Sequence, residues 1–206
     1  MRLFRPGPLS RILYPDAIFR VKSPEKVLYL TFDDGPDPHS TALILSILEK
    51  YGIRAIFFCS GNAAEKHPGL MNFIRSGSHL TGNHGYDHND GWRTPFRRYI
   101  ADIKKSSTLT SPELLRPPYG HITFLQYITL KEEYKLVFWD IMPYDFDSSF
   151  GARQSLSILK KLSRPGSIII LHDNHLSSAI TFLEEFILYA YETGFRFGEP
   201  EKIYVR

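Results

Sequence analysis

The sequence predicts an α/β domain built on a parallel sheet, either a barrel or a doubly wound sheet. Three observations carry this. Short apolar runs such as VLYLTF, AIFFC, LVFW and SIIIL alternate with longer amphipathic stretches. The runs are continuously apolar, as in strands buried on both faces. Strand and helix patterns follow one another in βα order, which places helices outside a parallel sheet. The chain has 206 residues, 43% hydrophobic and 14% aromatic, enough for one domain with a sizeable core.

Taken in order, the predicted strands are Val27–Phe32, Arg54–Cys59, His79–Gly82, Leu114–Arg116, Leu136–Asp140, Ser167–Leu171 and Phe195–Val205. Between them, Ser40–Tyr51 reads as a helix with Leu43, Ile44, Ile47 and Leu48 on one face. Pro68–Arg75, Phe96–Ser106, Thr123–Lys131, Arg153–Leu162 and Ser177–Glu192 follow as helices. A segment 1–24 is expected to pack along a domain spanning 25–206. No repeat, linker or low-complexity tract interrupts the pattern.

Charged residues make up 23% and the net charge is +3, which excludes disorder and gives no footprint for nucleic acid. The single cysteine, Cys59, sits in IFFC and reads as buried filler. The start MRLFRPGPLSRIL is basic but lacks the apolar centre of a signal peptide. No apolar run is long enough to cross a bilayer. A cytoplasmic location is the expectation. The basic, apolar mix of residues 1–22 leaves contact with a membrane surface as the other reading of that segment.

Reactive residues gather where the predicted strands end, the place where α/β folds keep their chemistry. The first strand ends in Asp33-Asp34-Gly35-Pro36, the third in GNH, and RPPYG follows the fourth. WD and DF follow the fifth, and LHD ends the sixth. Each motif has an ordinary reading. FDDGP can be a solvated turn, HxxxH two exposed histidines, LHD a satisfied core histidine, and RPPYG a stiff loop. Together they point further. His84 and His88 on one turn or loop, with Asp34 ending a neighbouring strand, give three protein ligands and leave a position for water, the pattern of a catalytic zinc site. Arg116 can pair with a buried carboxylate.

These stretches resemble the polysaccharide deacetylase family, the NodB-like carbohydrate esterases. TFDDGP (Thr31–Pro36), HGYDH (His84–His88), RPPYG (Arg116–Gly120) and ILHD (Ile170–Asp173) occur in the family's order. The fourth motif, usually D-x-x-D-W, is poorer here, with Met142 for the first Asp and Phe146 for the Trp. The resemblance implies a distorted (β/α) barrel with seven strands. It implies that Asp34, His84 and His88 hold one divalent metal, Zn²⁺ first, with Co²⁺, Ni²⁺ or Mn²⁺ as alternatives. Asp33 is implied as general base and His172 as general acid. Arg116 would orient Asp33, and Asp145 would orient His172. The Tyr119 N–H would hold the oxyanion, Leu171 would line the acetyl pocket, and Phe146 would form an aromatic wall.

The implied reaction is removal of an N-acetyl or O-acetyl group from an acetylated carbohydrate. A glycan-binding pseudoenzyme and a metal-dependent phosphoesterase are the competing functions. The departures carry expectations too. Gly85 stands where the family has Ser or Thr, which predicts looser metal binding. Asp140 is a candidate to replace the carboxylate lost at Met142. His39 and His79, near the motifs, read as supports behind the site or as structural residues. Trp92, Tyr86 and Phe150 could stack on sugar, although core packing is the usual role of an aromatic residue.

Overall fold

The computed structural model describes residues 2–111 and 113–204. Seven strands form one sheet: β1 (Val27–Asp34), β2 (Ile56–Cys59), β3 (Leu80–Asn83), β4 (Leu114–Leu115), β5 (Lys135–Leu136), β6 (Ile168–His172) and β7 (Arg196–Phe197). The order is β5-β4-β3-β2-β1-β6, with β7 paired to the start of β1, and every ladder is parallel. The sheet curls until Ile141, beyond β5, forms a parallel bridge to Ile169 of β6. Where the curl leaves a gap, the N-terminal segment fills it. Ile18 bridges Val137, and the Val21 N–H donates to the Gly166 carbonyl at 2.9 Å. The expected distorted barrel of seven parallel strands is what the chain forms.

Helices surround it: α1 (Pro8–Leu13), α2 (Thr41–Lys50), α3 (Gly61–Lys66), α4 (Pro68–Ser76), α5 (Phe96–Ser107), α6 (Phe124–Leu130), α7 (Ala152–Leu162) and α8 (Ala179–Glu192). Strand alternation sorts the core into layers. Tyr29, Ile56, Phe58, Leu114, Val137 and Ile168 fill the barrel. Leu28, Leu30, Phe32, Ile169 and Leu171 point outward, under Phe182, Leu183, Phe186 and Ile187 of α8. That helix buries residues at the i, i+3, i+4 spacing of an amphipathic stripe. Cys59 is buried in the same outer layer, as filler should be.

Several boundaries differ from expectation, each for a local reason. The last strand is short: Pro200 has no N–H to donate and opens a 3₁₀ turn, Pro200–Ile203. Val205, included in the expected strand, lies outside the described residues. The buried face of α2 is Thr41, Ile44, Leu45 and Leu48, while Leu43 is 52% exposed, so the stripe is rotated by about one residue from the expected one. Helices α1 and α3 have six residues each, too few for periodicity to reveal. Instead α3 is announced by a cap, the Ser60 hydroxyl accepting from the Ala63 N–H.

Candidate active site and metal centre

The site begins with a backbone anomaly. Adjacent side chains of a regular strand point to opposite faces, so Asp33 and Asp34 can share a site only if β1 breaks. It breaks at Asp34, whose φ is +79°, in the left-handed region costly for a residue with a Cβ. His88 (φ +53°) and Tyr119 (φ +58°) are strained in the same sense. Such strain persists where surrounding structure enforces it. The turn after Asp34 is tight: a Cβ on Gly35 would lie 2.2 Å from Asp173 Oδ2. Burial pushes the Asp173 carboxyl up to about 6 against the opposing hydrogen bonds from Ser40 and Thr41.

Asp34, His84 and His88 converge, with one ligand atom from each lying within 4.8 Å of the others. Asp34 Oδ1 is 3.2 Å from His88 Nε2 and 3.6 Å from His84 Nε2. His84 bonds the Arg116 carbonyl through Nδ1 at 2.7 Å, which turns Nε2 toward Asp34. Burial lowers the His84 pKa to about 4, so the ring is neutral at pH 7, as a ligand must be. Burial alone would raise the Asp34 carboxyl. Its hydrogen bond with His88 and the positive charge of His172 hold it well below the usual carboxylate range. An ionised carboxylate beside a neutral imidazole fits a divalent cation. Among the described residues this trio is the one group of His, Cys, Asp or Glu that meets the geometry, and it has no fourth member.

Two flanking pairs complete the arrangement. Asp33, 1% exposed, accepts from Arg116 Nη1 at 2.6 Å, while its Oδ2 lies 3.6 Å from His84 Nε2. Arg116 is fully buried and also donates to Thr31 Oγ1 and the carbonyls of Val137 and Phe138. Its guanidinium carbon lies 4.1 Å from the centre of the Phe58 ring. On the other side, His172 Nδ1 is 3.0 Å from Asp145 Oδ1, and Asp145 Oδ2 accepts from the His172 N–H and the Ser177 hydroxyl. Phe146 meets the His172 ring edge-on at 4.6 Å. Tyr119 stands 4.5 Å from the His88 ring, edge-on.

Gly82 makes the Phe58–Arg116 stack possible, since a Cβ there would lie 2.3 Å from the Phe58 ring. Gly82→Ala is therefore expected to destabilise the fold by about 1–3 kcal/mol through overpacking. Urea unfolding measures it, and an unchanged midpoint would refute the contact.

Some expectations need correction. Leu171 does not line the site: it is wholly buried in the outer layer, on the face of β6 opposite His172. Ile170, two residues before His172, shares the histidine's face, and strand parity alone could have found it. Asp140 does not replace the missing carboxylate. It is buried and bound by Arg5, Arg164 and the Ser167 hydroxyl. Trp92 is not a core residue: it is 62% exposed and stacks on His121 at 3.7 Å. His79 is structural, as expected, with its Nδ1 accepting from the Ala55 N–H.

The glycine in HGYDH does not leave the loop unbraced. Asp102 of α5 accepts from the Tyr86 N–H at 2.8 Å, the Asp87 N–H at 3.0 Å and Asn89 Nδ2 at 2.8 Å. Gly85 has φ +73°, and a Cβ there would lie 2.9 Å from Asp102 Oδ2. A glycine and a remote carboxylate thus do what a loop hydroxyl was expected to do. Asp102→Ala is expected to weaken metal binding by about 10–100-fold, as loss of a group that orients ligands does. Competition with a chelating dye reads it, and unchanged affinity would show that the loop holds itself. Sequence reasoning also missed Asn174, whose Nδ2 donates to Asp34 Oδ2 at 2.7 Å. Its position directly after LHD was the available signal. A cleft of about 340 Å³ opens on Asp34 and His88, walled by Pro36, Ser60, His67 and Tyr86.

A parallel barrel with an Asp-His-His centre, a buried carboxylate held by arginine and a histidine held by aspartate defines a class of metal-dependent hydrolase fold. The chain belongs to the polysaccharide deacetylase family, whose model matches residues 20–134. Two Bacillus cereus proteins called peptidoglycan-N-acetylglucosamine deacetylase are each 31% identical to it. The match to one covers 82% of this chain and 64% of the relative, and to the other 87% and 88%. A solved peptidoglycan N-acetylglucosamine deacetylase superposes with a TM-score of 0.83 at 28% identity, over 93% of this chain and 94% of that one. A Bacillus anthracis pseudoenzyme of carbohydrate esterase family 4 shares the fold at TM-score 0.81 and 19% identity, over 91% and 68%.

Proposed function

We propose that this protein is a metal-dependent deacetylase that hydrolyses an acetyl group, N-acetyl foremost, from a carbohydrate bearing N-acetylglucosamine-type units. One observation carries the reading: the Asp34-His84-His88 trio lies between the Asp33–Arg116 pair and the Asp145–His172 pair. Asp34, His84 and His88 would hold the cation, with Zn²⁺ favoured and Co²⁺, Ni²⁺ or Mn²⁺ compatible with the donors. When bound, it supplies Lewis acidity toward a carbonyl oxygen and makes water acidic enough to ionise near pH 7. Asp33, one oxygen held by Arg116 and the other free toward the centre, takes the proton of the attacking water. His172, held by Asp145, gives a proton to the departing amine. The Tyr119 N–H would donate to the developing oxyanion.

The named relatives support N-acetylglucosamine in peptidoglycan as the first substrate to try. Base, acid and ligands are all present, which weighs against a pseudoenzyme. Arg116 is committed to Asp33, so a phosphoesterase would lack that cation for its phosphate. The test is acetate release from chitooligosaccharides and peptidoglycan fragments by protein reconstituted with Zn²⁺ or Co²⁺. Stoichiometric metal binding with no acetate from any N-acetyl or O-acetyl sugar would reject hydrolysis.

A further inference from the structure

The protein's positive charge is concentrated near its N-terminus. Residues 1–22 contain Arg2, Arg5, Arg11, Arg20 and Lys22 against Asp16, a net +4 in a chain of net +3, so the remainder sums to −1. Arg2 and Arg5 are engaged by Asp147 and Asp140. Arg11, Arg20 and Lys22 instead line a cleft of about 1130 Å³, with Lys131, Lys135 and Lys202. Its acidic lining is Asp16, paired with Lys131, and Glu132. The cleft lies where Lys22 leads toward β1 and Lys135 begins β5, at the end of the barrel opposite the metal ligands.

Beside this cleft, α1 buries none of its residues. Leu9, Ile12 and Leu13, spaced i, i+3, i+4, are 61%, 74% and 42% exposed. A six-residue helix is not stable alone. This one is tethered at both sides, by Arg5 to Asp140 and by Tyr14, which stacks on Phe138 and donates to the Ile122 carbonyl at 2.6 Å. Tyr14 also packs on Tyr127 of α6, a helix that exposes Phe124 and Leu125 at 60% and 55%. The fold thus holds an apolar stripe outward, next to a basic cleft.

We propose that this face seats the protein on an anionic lipid bilayer, with Leu9, Ile12 and Leu13 entering the headgroup region and the basic cleft facing lipid phosphates. An apolar stripe flanked by Arg and Lys is the interfacial pattern, and each basic group near an anionic surface raises affinity roughly five-fold. A bilayer satisfies both features at once. A soluble polyanion would leave the leucines in water. A symmetric contact with a second copy would set one basic cleft against another. No helix of the described residues is long and apolar enough to cross a membrane, so the contact is with the surface. The inference rests on this face and is independent of the catalytic reading.

Vesicle flotation tests it, using phosphatidylcholine vesicles with and without phosphatidylglycerol at low and high salt. Binding is expected to the anionic vesicles only and to weaken with salt. Leu9→Glu with Ile12→Glu is expected to lower it ten-fold or more, and Arg20→Glu with Lys22→Glu comparably, while melting temperature and acetate release from a soluble oligosaccharide stay unchanged. If the glutamate variants fail to fold, Ile12→Cys carrying an environment-sensitive dye replaces them, Cys59 being buried. A blue shift on anionic vesicles alone supports insertion, and no shift overturns it. No flotation, equal flotation on neutral vesicles, or dimerisation that depends on Leu9 and Ile12 without flotation each overturns the proposal.

Discussion

Replacing His172 by alanine is expected to lower kcat by about 10²–10⁴-fold, the range of a general acid, with metal affinity unchanged. The geometry separates the two effects. His172 is held by Asp145 through Nδ1 and through its own N–H, and it is not one of the three converging ligands. Burial opposes its charge, but the carboxylate of Asp145, then those of Asp34 and Asp33, outweigh burial and push its pKa up to about 9. It is therefore protonated at neutral pH, the state a proton donor needs. The alkaline limb of kcat should follow loss of this proton, and Asp145→Asn should move that limb to lower pH, toward the ordinary histidine value of about 6.5. Because the folded pKa lies above the unfolded one, His172 stabilises the fold fully below about pH 6.5. That contribution fades as pH rises through about 9. Loss of metal in His172→Ala, or an alkaline limb indifferent to Asp145→Asn, would remove His172 from this role.

The parts of this arrangement that were legible in the sequence are those written locally. Continuous apolar runs gave β1, β2 and β6, because a strand covered on both faces has no polar side. The rule that chemistry sits where parallel strands end picks out Asp33, Asp34, His84, Arg116 and His172 from sequence alone. What stayed hidden is written in tertiary structure. Asp102 acts across the 13 to 16 residues separating it from the groups it braces, and nothing in HGYDH names it. The family pattern points to Leu171, whereas strand parity puts Ile170 beside His172. Trp92 looked like core because composition cannot show that its partner is His121, on a rim. The Arg116–Asp33 pair spans 83 residues of sequence, and only the fold closes it.

That pair gives the largest expected effect on stability. Arg116→Met is expected to cost about 3–5 kcal/mol, the scale for removing one partner of a buried ion pair. The reason is the charge left behind. Asp33 is 1% exposed, and without the guanidinium its Oδ1 loses its donor and its charge loses the cation paired with it. Two further losses add to this, since the carbonyls of Val137 and Phe138 each lose a donor. A double variant separates the contributions. Adding Asp33→Asn to Arg116→Met removes the stranded charge, so it should recover part of the stability while leaving activity abolished. If the double variant is as unstable as Arg116→Met alone, the carbonyl bonds and the stack on Phe58 hold the barrel, and the ion pair adds nothing. Stability of Arg116→Met within about 1 kcal/mol of the parent would place Asp33 in a wetter, more polar setting than its burial shows. Its oxygen facing His84 would then have no fixed partner to aim it, and the assignment of Asp33 as base would fall with the pair.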